Sequence, residues 1–222
     1  MVVSVFLKSQ DLAQKINRKK LLSRTVIISL LFSCLASTVC AQAYCALRQP
    51  HRAQQILFPK STQLETFTDE VTAKHRAAVQ KELNFSIHKD ELGLHTLYAS
   101  FVDQEGTLKH LGYIHVRSEQ GEWGLIEITW ALYPDLTIKA FTFQRCRESA
   151  REEIQSDAFN KLIHKKTAKE LRVYLNGDGN ALKTPLSILS KDAQSLGFRM
   201  IRSALKTIAV TRAVWPKVTS VE

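Results

Sequence analysis

The sequence is poor in the residues that build unusual folds. It contains only 8 Gly and 5 Pro among 222 residues, and it has no internal repeat and no low-complexity run. These features argue against a fibrous or a disordered chain. Hydrophobic residues make up 45% and charged residues 23%, as in ordinary globular proteins. The length is sufficient for one well-buried core, with little left for a second.

Cysteine is also scarce, with 4 residues in the chain. Cys34 and Cys40 lie in an apolar N-terminal segment, which leaves Cys45 and Cys146 beyond it. Because no CxxC pair is present, the sequence offers no zinc site. In an oxidising compartment Cys45 and Cys146 could pair, or they could remain free thiols.

Catalytic and metal-binding motifs are missing as well. We find no P-loop, no nucleophile elbow, no dinucleotide fingerprint and no HExxH. His110 and His115 share a predicted strand but are an odd number of residues apart, so we expect them on opposite faces of the sheet. The stretch Asn176–Asn180 lacks the ligand spacing of a calcium loop and is predicted to be a turn. No metal site is predicted.

The formal net charge of +10 is concentrated at one end of the chain. Six basic residues and one acidic residue precede Ala43, which leaves an excess of 5 positive charges for the rest. Those remaining basic residues are interspersed with acidic ones, as on a solvated surface. The charge pattern therefore does not predict a nucleic-acid partner.

The N-terminus has the three parts of a secretory signal. Arg18-Lys19-Lys20 and Arg24 precede the apolar stretch Thr25–Val39, and Ala41-Gln42-Ala43 follows it. We predict that residues 1–43 are a signal peptide or an uncleaved membrane anchor, with a lipoprotein attached at Cys34 as a third alternative. Each alternative places the protein in the periplasm, soluble or anchored to the cytoplasmic membrane.

Beyond the signal the pattern predicts an α+β domain. Residues 44–68 are expected to be a linker with a short segment leading into the domain, residues 69–214 the domain, and residues 215–222 a tail. A helix capped by Asp69 is predicted to run to about Leu83, with Val71, Ala78, Val79 and Leu83 buried. An antiparallel four-stranded meander follows, and then C-terminal helices. The four predicted strands are 94–102, 107–117, 123–132 and 137–143. In the third, alternation predicts one face with Ile126, Ile128, Trp130 and Leu132 and the other with Glu127 and Thr129. The predicted helices are 152–164, 168–175 and a last one from about Asp192 or Leu196 to Ala213, whose inward residues are Leu196, Met200, Ala204, Leu205 and Ile208.

Several short motifs, in order, resemble the FMN-binding domain of exported redox proteins. That family includes the flavin-carrying subunits of membrane oxidoreductases and small stand-alone periplasmic proteins. The resemblance covers roughly residues 56–214. The motifs are Leu111-Gly112-Tyr113, Tyr133-Pro134-Asp135-Leu136, Arg147-Glu148-Ser149, Ala158-Phe159 and Asp192-Ala193.

The resemblance implies FMN as cofactor and a set of site residues. The motif residues Arg147, Glu148 and Ser149 stand where a strand ends and a helix begins, a place suited to a phosphate. The resemblance adds Asp192 and Ser195 at the final helix. Phe198 stands where the family has the Thr that is esterified to FMN, so any flavin is expected to be held non-covalently, with Phe198 stacked on its ring.

Two functions follow from these observations. In the first, the exported domain binds FMN and passes electrons to or from a membrane redox protein, with the redox chemistry supplied by the flavin. In the second, the flavin site has been lost and the domain is a periplasmic scaffold or interaction module. Glu148 has no second catalytic partner in the sequence, so a stand-alone enzyme is not predicted.

Overall fold

The computed structural model describes residues 46–88 and 91–219. The predicted signal or anchor, residues 1–43, and Cys45 lie outside the described residues. The strands are β1 (Gln63–Val71), β2 (Gly93–Gln104), β3 (Thr107–Gln120), β4 (Leu125–Leu132) and β5 (Ile138–Arg145). The helices are α1 (Pro50–Leu57), α2 (Ala73–Glu82), α3 (Arg151–Ile154), α4 (Asp157–Ile163), α5 (Ala168–Arg172), α6 (Gln194–Val214) and α7 (Pro216–Thr219).

The fold is α+β, as predicted, but its antiparallel sheet has five strands instead of four. The strands lie in chain order, β1-β2-β3-β4-β5, and each pairs with the next. The additional strand is β1, which was assigned to the linker and to the start of a helix. Most β1 side chains are exposed because it is an edge strand. An edge strand of this kind lacks the apolar alternation that identifies a half-buried strand.

The first predicted helix begins later than expected. Thr72, and not Asp69, is its N-cap, and the Thr72 hydroxyl accepts a hydrogen bond from the His75 backbone N–H at 3.3 Å. Asp69 lies in β1. Of the four residues expected to be buried along this helix, Val79 and Leu83 are buried, Val71 is buried in β1, and Ala78 is exposed.

One face of the sheet packs against the long helix α6. On β4, Ile126, Ile128, Trp130 and Leu132 all point into this core, as the alternation predicted. The five residues predicted to face inward from the last helix are all buried: Leu196, Met200, Ala204, Leu205 and Ile208. The indole Nε1 of Trp130 donates to the Ser203 hydroxyl at 3.0 Å, so the one polar atom of that ring is satisfied.

The opposite face of the sheet packs against α1. This helix begins with Pro50 in its first turn, where proline costs no hydrogen bond. Leu57 and Phe58 are buried there with Tyr98 and Ile114 of the sheet. The segment 44–68 was predicted as a linker, so α1 is a second correction. Its sequence signal was Pro50 followed by apolar residues one turn apart, at Ala53 and Leu57.

The chain after β5 also differs in detail from the prediction. The single helix expected over residues 152–164 is divided into α3 and α4, because Ser156 caps a new helix start and accepts from the Phe159 N–H at 3.4 Å. The predicted tail packs against the domain. Trp215 is buried, and the Tyr113 hydroxyl donates to the Val218 carbonyl at 2.8 Å.

A bulge in β3 places His110 and His115 on the same face, contrary to the prediction from their spacing. The pairing of β2 with β3 shifts by one residue beside Gly112, whose φ is +140°. His110 then contacts Phe101 and Tyr113, while His115 contacts Trp215, all on the α6 side. An added residue in one strand reverses the direction of every side chain beyond it.

Among the described helices, none is long and apolar enough to cross a membrane.

Candidate functional site

The residues of the predicted flavin site lie in two segments that meet at the turn between β3 and β4. Glu148 binds this turn directly: its Oε1 accepts from the backbone N–H of Glu122 at 2.8 Å and of Trp123 at 3.2 Å. At the start of α6, Arg199 donates to the Gln120 carbonyl and lies 3.5 Å from the Ser195 hydroxyl. The other predicted residues, Arg147, Ser149 and Asp192, are exposed.

The helix expected to hold a phosphate is a single turn. This helix, α3, has four residues, and the Arg151 N–H at its start donates to the Glu148 carbonyl at 3.1 Å. The Glu148 carboxylate is in turn engaged with the β3–β4 turn. The Arg151 N–H and the Glu148 carboxylate therefore already have partners within the protein.

Phe198 and its neighbours are packed into the domain. The Phe198 ring is half-buried against the α6 core, and the Arg202 guanidinium lies over it at 5.4 Å from the ring centroid. Leu196 is 2% exposed, and Gly197 is buried where an added β-carbon would overlap Leu189. Phe198 thus contacts the core and Arg202 within the described part of the chain. FMN binding by this chain remains a prediction.

Cys146, which follows β5, is a free and buried thiol. Burial raises the pKa of Cys146, and the nearby Glu148 carboxylate adds to the rise, whereas a hydrogen bond from the Glu148 backbone and the Arg151 charge oppose it. The thiolate is the reactive form of cysteine, so this environment favours an unreactive thiol.

A cleft of about 390 Å³ opens on the other side of the sheet, between α1 and the strands β4 and β5. We call it the α1 cleft. Its lining is mainly polar and includes three arginines and two threonines, with α1 supplying apolar groups. The residues that shape it are Arg48, Arg52, Ile56, Thr129, Thr142 and Arg151.

The strand alternation positions the floor of the α1 cleft. On β4, Glu127 and Thr129 point away from the α6 core, as the sequence predicted, and Thr129 pairs with Thr142 of β5. Gln144 holds the chain just before α1, because its Oε1 accepts from the Arg48 N–H at 2.8 Å and its Nε2 donates to the Ala46 carbonyl at 3.3 Å. These bonds fix α1 over the edge of the sheet.

The charges around the α1 cleft do not balance. Arg48 forms a two-point ion pair with Glu127, in which Arg48 Nε donates to Oε2 at 2.9 Å. Arg52 contacts only the amide of Gln49 at 3.4 Å, and Arg151 contacts the amide of Gln155 at 3.1 Å. Within residues 46–88 and 91–219, neither Arg52 nor Arg151 forms an ion pair. The lining residues that the structure describes therefore carry positive charge and include no acid.

Thr129 contributes an unsatisfied polar atom to the α1 cleft. The residue is 0% exposed, and its hydroxyl has no hydrogen-bond partner among the described residues. Leaving a buried hydroxyl unpaired costs about 1–3 kcal/mol. Native proteins rarely leave a buried hydroxyl unpaired without a reason, and a ligand that binds the hydroxyl is one such reason.

A second group of polar residues is buried between the sheet and α6. Glu91 binds both Arg117 and Lys206, and Lys206 also binds Glu119 at 2.6 Å. Burial raises the pKa of Glu91, but the charges of Arg117 and Lys206 together with hydrogen bonds lower it further, and the net shift is downward. The cluster holds two cations and two carboxylates, so its charges balance.

Two histidines extend this buried group. The Thr211 hydroxyl donates to His115 Nδ1 at 2.9 Å, His115 Nε2 donates to His95 Nδ1 at 3.4 Å, and His95 Nε2 donates to the Glu91 carbonyl at 2.9 Å. In this hydrogen-bond pattern the imidazole rings of His95 and His115 are both neutral. Burial and the Arg117 charge lower the pKa of His95 to about 4, and burial lowers that of His115 well below its usual value. The buried position makes this a structural network.

Sequence analysis missed the residues that build the α1 cleft. Arg52 lay in the predicted linker, and nothing in a single strand pattern distinguishes Thr129 from any other outward-facing threonine. Thr129 and Arg151 come from segments that meet only in the folded chain.

The described residues contain no group of three or more His, Cys, Asp or Glu that could hold a metal ion.

Comparison with known proteins adds no relative. No protein-family model matches this chain, and no curated protein matches it. The resemblance to the FMN-binding family therefore remains a prediction from motifs, and the site must be judged from its own geometry.

Proposed function

We propose that this protein is an exported binding module that holds a small molecule in the α1 cleft and carries no flavin. The observation that supports this function is the cleft itself, which is about 390 Å³ in volume. Binding sites for small molecules are typically concave, about 300–1,000 Å³ in volume, with a few placed polar groups. The export in this proposal rests on the N-terminal pattern, which implies a periplasmic protein, free or tethered to the membrane.

The proposal omits the flavin because of the contacts of two residues. Glu148 binds the β3–β4 turn, and Phe198 packs beneath Arg202. A flavin at this place would have to displace both sets of contacts, at a cost that its own binding would have to recover. An electron-transfer role with a membrane redox partner is accordingly the alternative that the experiment tests.

The flavin is tested on the full chain purified in detergent. We expect no flavin absorbance in the purified protein and no rise in melting temperature at saturating FMN. A rise that disappears in Phe198→Ala would support the electron carrier and contradict our proposal.

The cleft is tested with a variant that narrows it. Ile56 lines the cleft and is 56% exposed, so Ile56→Trp adds bulk there without disturbing the core. Val173→Trp is the matched control, since Val173 is exposed and does not line the cleft. In a thermal-shift panel of organic acids, phosphate esters, sugars and amino acids, active compounds should lose their effect only in Ile56→Trp. Compounds that stabilise both variants equally, or a panel with no active compound, would contradict the proposal.

A further inference from the structure

The unbalanced charge of the α1 cleft indicates the sign of its ligand. Arg48 is already neutralised by Glu127, whereas Arg52 and Arg151 contact only glutamine amides within the described part of the chain. These two arginines come from α1 and from α3, so the fold brings charges from two distant segments of the chain to one cleft. An arginine fork matches the oxygens of a carboxylate or a phosphate, and a bound anion would restore neutrality.

Thr129 is an independent indication of a bound group. Its buried hydroxyl lines the same cleft and lacks a partner within the described part of the chain. Across the strand pair stands Thr142, which also lines the cleft. A ligand oxygen at this position would accept the hydrogen bond that the protein itself leaves unmade.

The remainder of the lining indicates a partly apolar molecule. Ala53 and Ile56 of α1 form an apolar side of the cleft. A cleft of about 390 Å³ accommodates a small molecule with a short hydrocarbon part besides its charged group. Glu127 is turned to Arg48 and does not line the cleft, and the described lining residues include no Asp or Glu.

We propose that the α1 cleft binds a small organic oxyanion, a carboxylate or a phosphate ester with a short apolar part. Arg52 and Arg151 bind the oxyanion, the Thr129 hydroxyl donates a hydrogen bond to it, and Ala53 and Ile56 contact the apolar part. This inference rests on the proposed binding function and names the class of ligand for the same site.

The test is isothermal titration of the full chain with three probes of eight carbon atoms each: octanoate, octyl phosphate and octanol. We expect binding of at least one of the two anions and none of octanol. Arg52→Gln and Arg151→Gln should each weaken anion binding at least about 10-fold, and Thr129→Val about 3- to 10-fold. Lys74→Gln is the control, because it removes one exposed positive charge from α2, which packs with α6 on the opposite face.

The outcomes separate this inference from the proposed function. Binding of octanoate alone or octyl phosphate alone supports the oxyanion and identifies its class. Equal binding of octanol and the anions, lost in Ile56→Trp, would overturn the oxyanion and leave the binding function intact. Anion binding that falls as much in Lys74→Gln as in Arg52→Gln would reveal nonspecific attraction and overturn the site. Failure of both anions to bind also overturns it.

Discussion

Mild acid is expected to weaken this fold through the two buried histidines. His95 has a folded-state pKa of about 4 against a usual value of 6.5, and that of His115 is lowered well below the usual value. Both rings are neutral in the fold, whereas histidines of the unfolded chain bind protons near pH 6.5. The unfolded state therefore takes up more protons between pH 6.5 and pH 4, and acid favours it.

The size of the effect follows from the His95 pKa. A shift of one pKa unit corresponds to about 1.4 kcal/mol, so His95 alone should remove roughly 2–3 kcal/mol of unfolding free energy by pH 4.5. The contribution is fully present above pH 6.5 and is lost progressively below it. His115 adds a loss of the same sign. Glu91, whose pKa is lowered, adds its own loss only below about pH 4.5.

The measurement is urea unfolding of the full chain, followed by tryptophan fluorescence, at intervals from pH 7 to pH 4.5. We expect the unfolding free energy to fall steadily over this range. His95→Gln should reduce the slope, and His51→Gln, which changes an exposed histidine, should not. A free energy that stays level from pH 7 to pH 5 would refute the reasoning, as would an NMR titration in which the His95 ring protonates near pH 6.5.

Three further predictions concern single positions and the N-terminus. Thr129→Val should stabilise the ligand-free protein by about 1 kcal/mol, since it removes an unpaired buried hydroxyl. The control Thr211→Val should destabilise the protein, because it leaves His115 without a hydrogen-bond donor. Urea unfolding at pH 7 measures both changes, and a loss of stability in Thr129→Val would contradict the prediction. Gly112→Ala should cost at least about 2 kcal/mol, because the new β-carbon would overlap a carbonyl of β4 at a φ of +140°, and Gly177→Ala, which faces open space, should cost less than about 1 kcal/mol. A C-terminal alkaline phosphatase fusion should be active outside the cytoplasm, and an intact but inactive fusion would overturn the export signal.

Sequence analysis predicted those elements that bury one regular face. Strands β2 to β5 and helix α6 have an apolar period that matches their geometry, so their existence was confirmed, as were the inward residues predicted for β4 and α6. The helix α1 and the strand β1 were missed, since α1 is short and β1 is an exposed edge. Neither carries a strong periodic signal, and both are held by contacts with distant parts of the chain.

The candidate site shows the same division. The sequence by itself determined that Thr129 points away from the main core, because alternation along β4 leaves no other arrangement once Ile128 and Trp130 are buried. Only the tertiary structure decided that Arg52, Thr129 and Arg151 share one cleft, and that Lys206 is buried in an ion cluster instead of exposed on its helix. Periodicity is a local property of the chain, whereas the partner of a charge or a hydroxyl depends on which distant segments the folded core brings beside it.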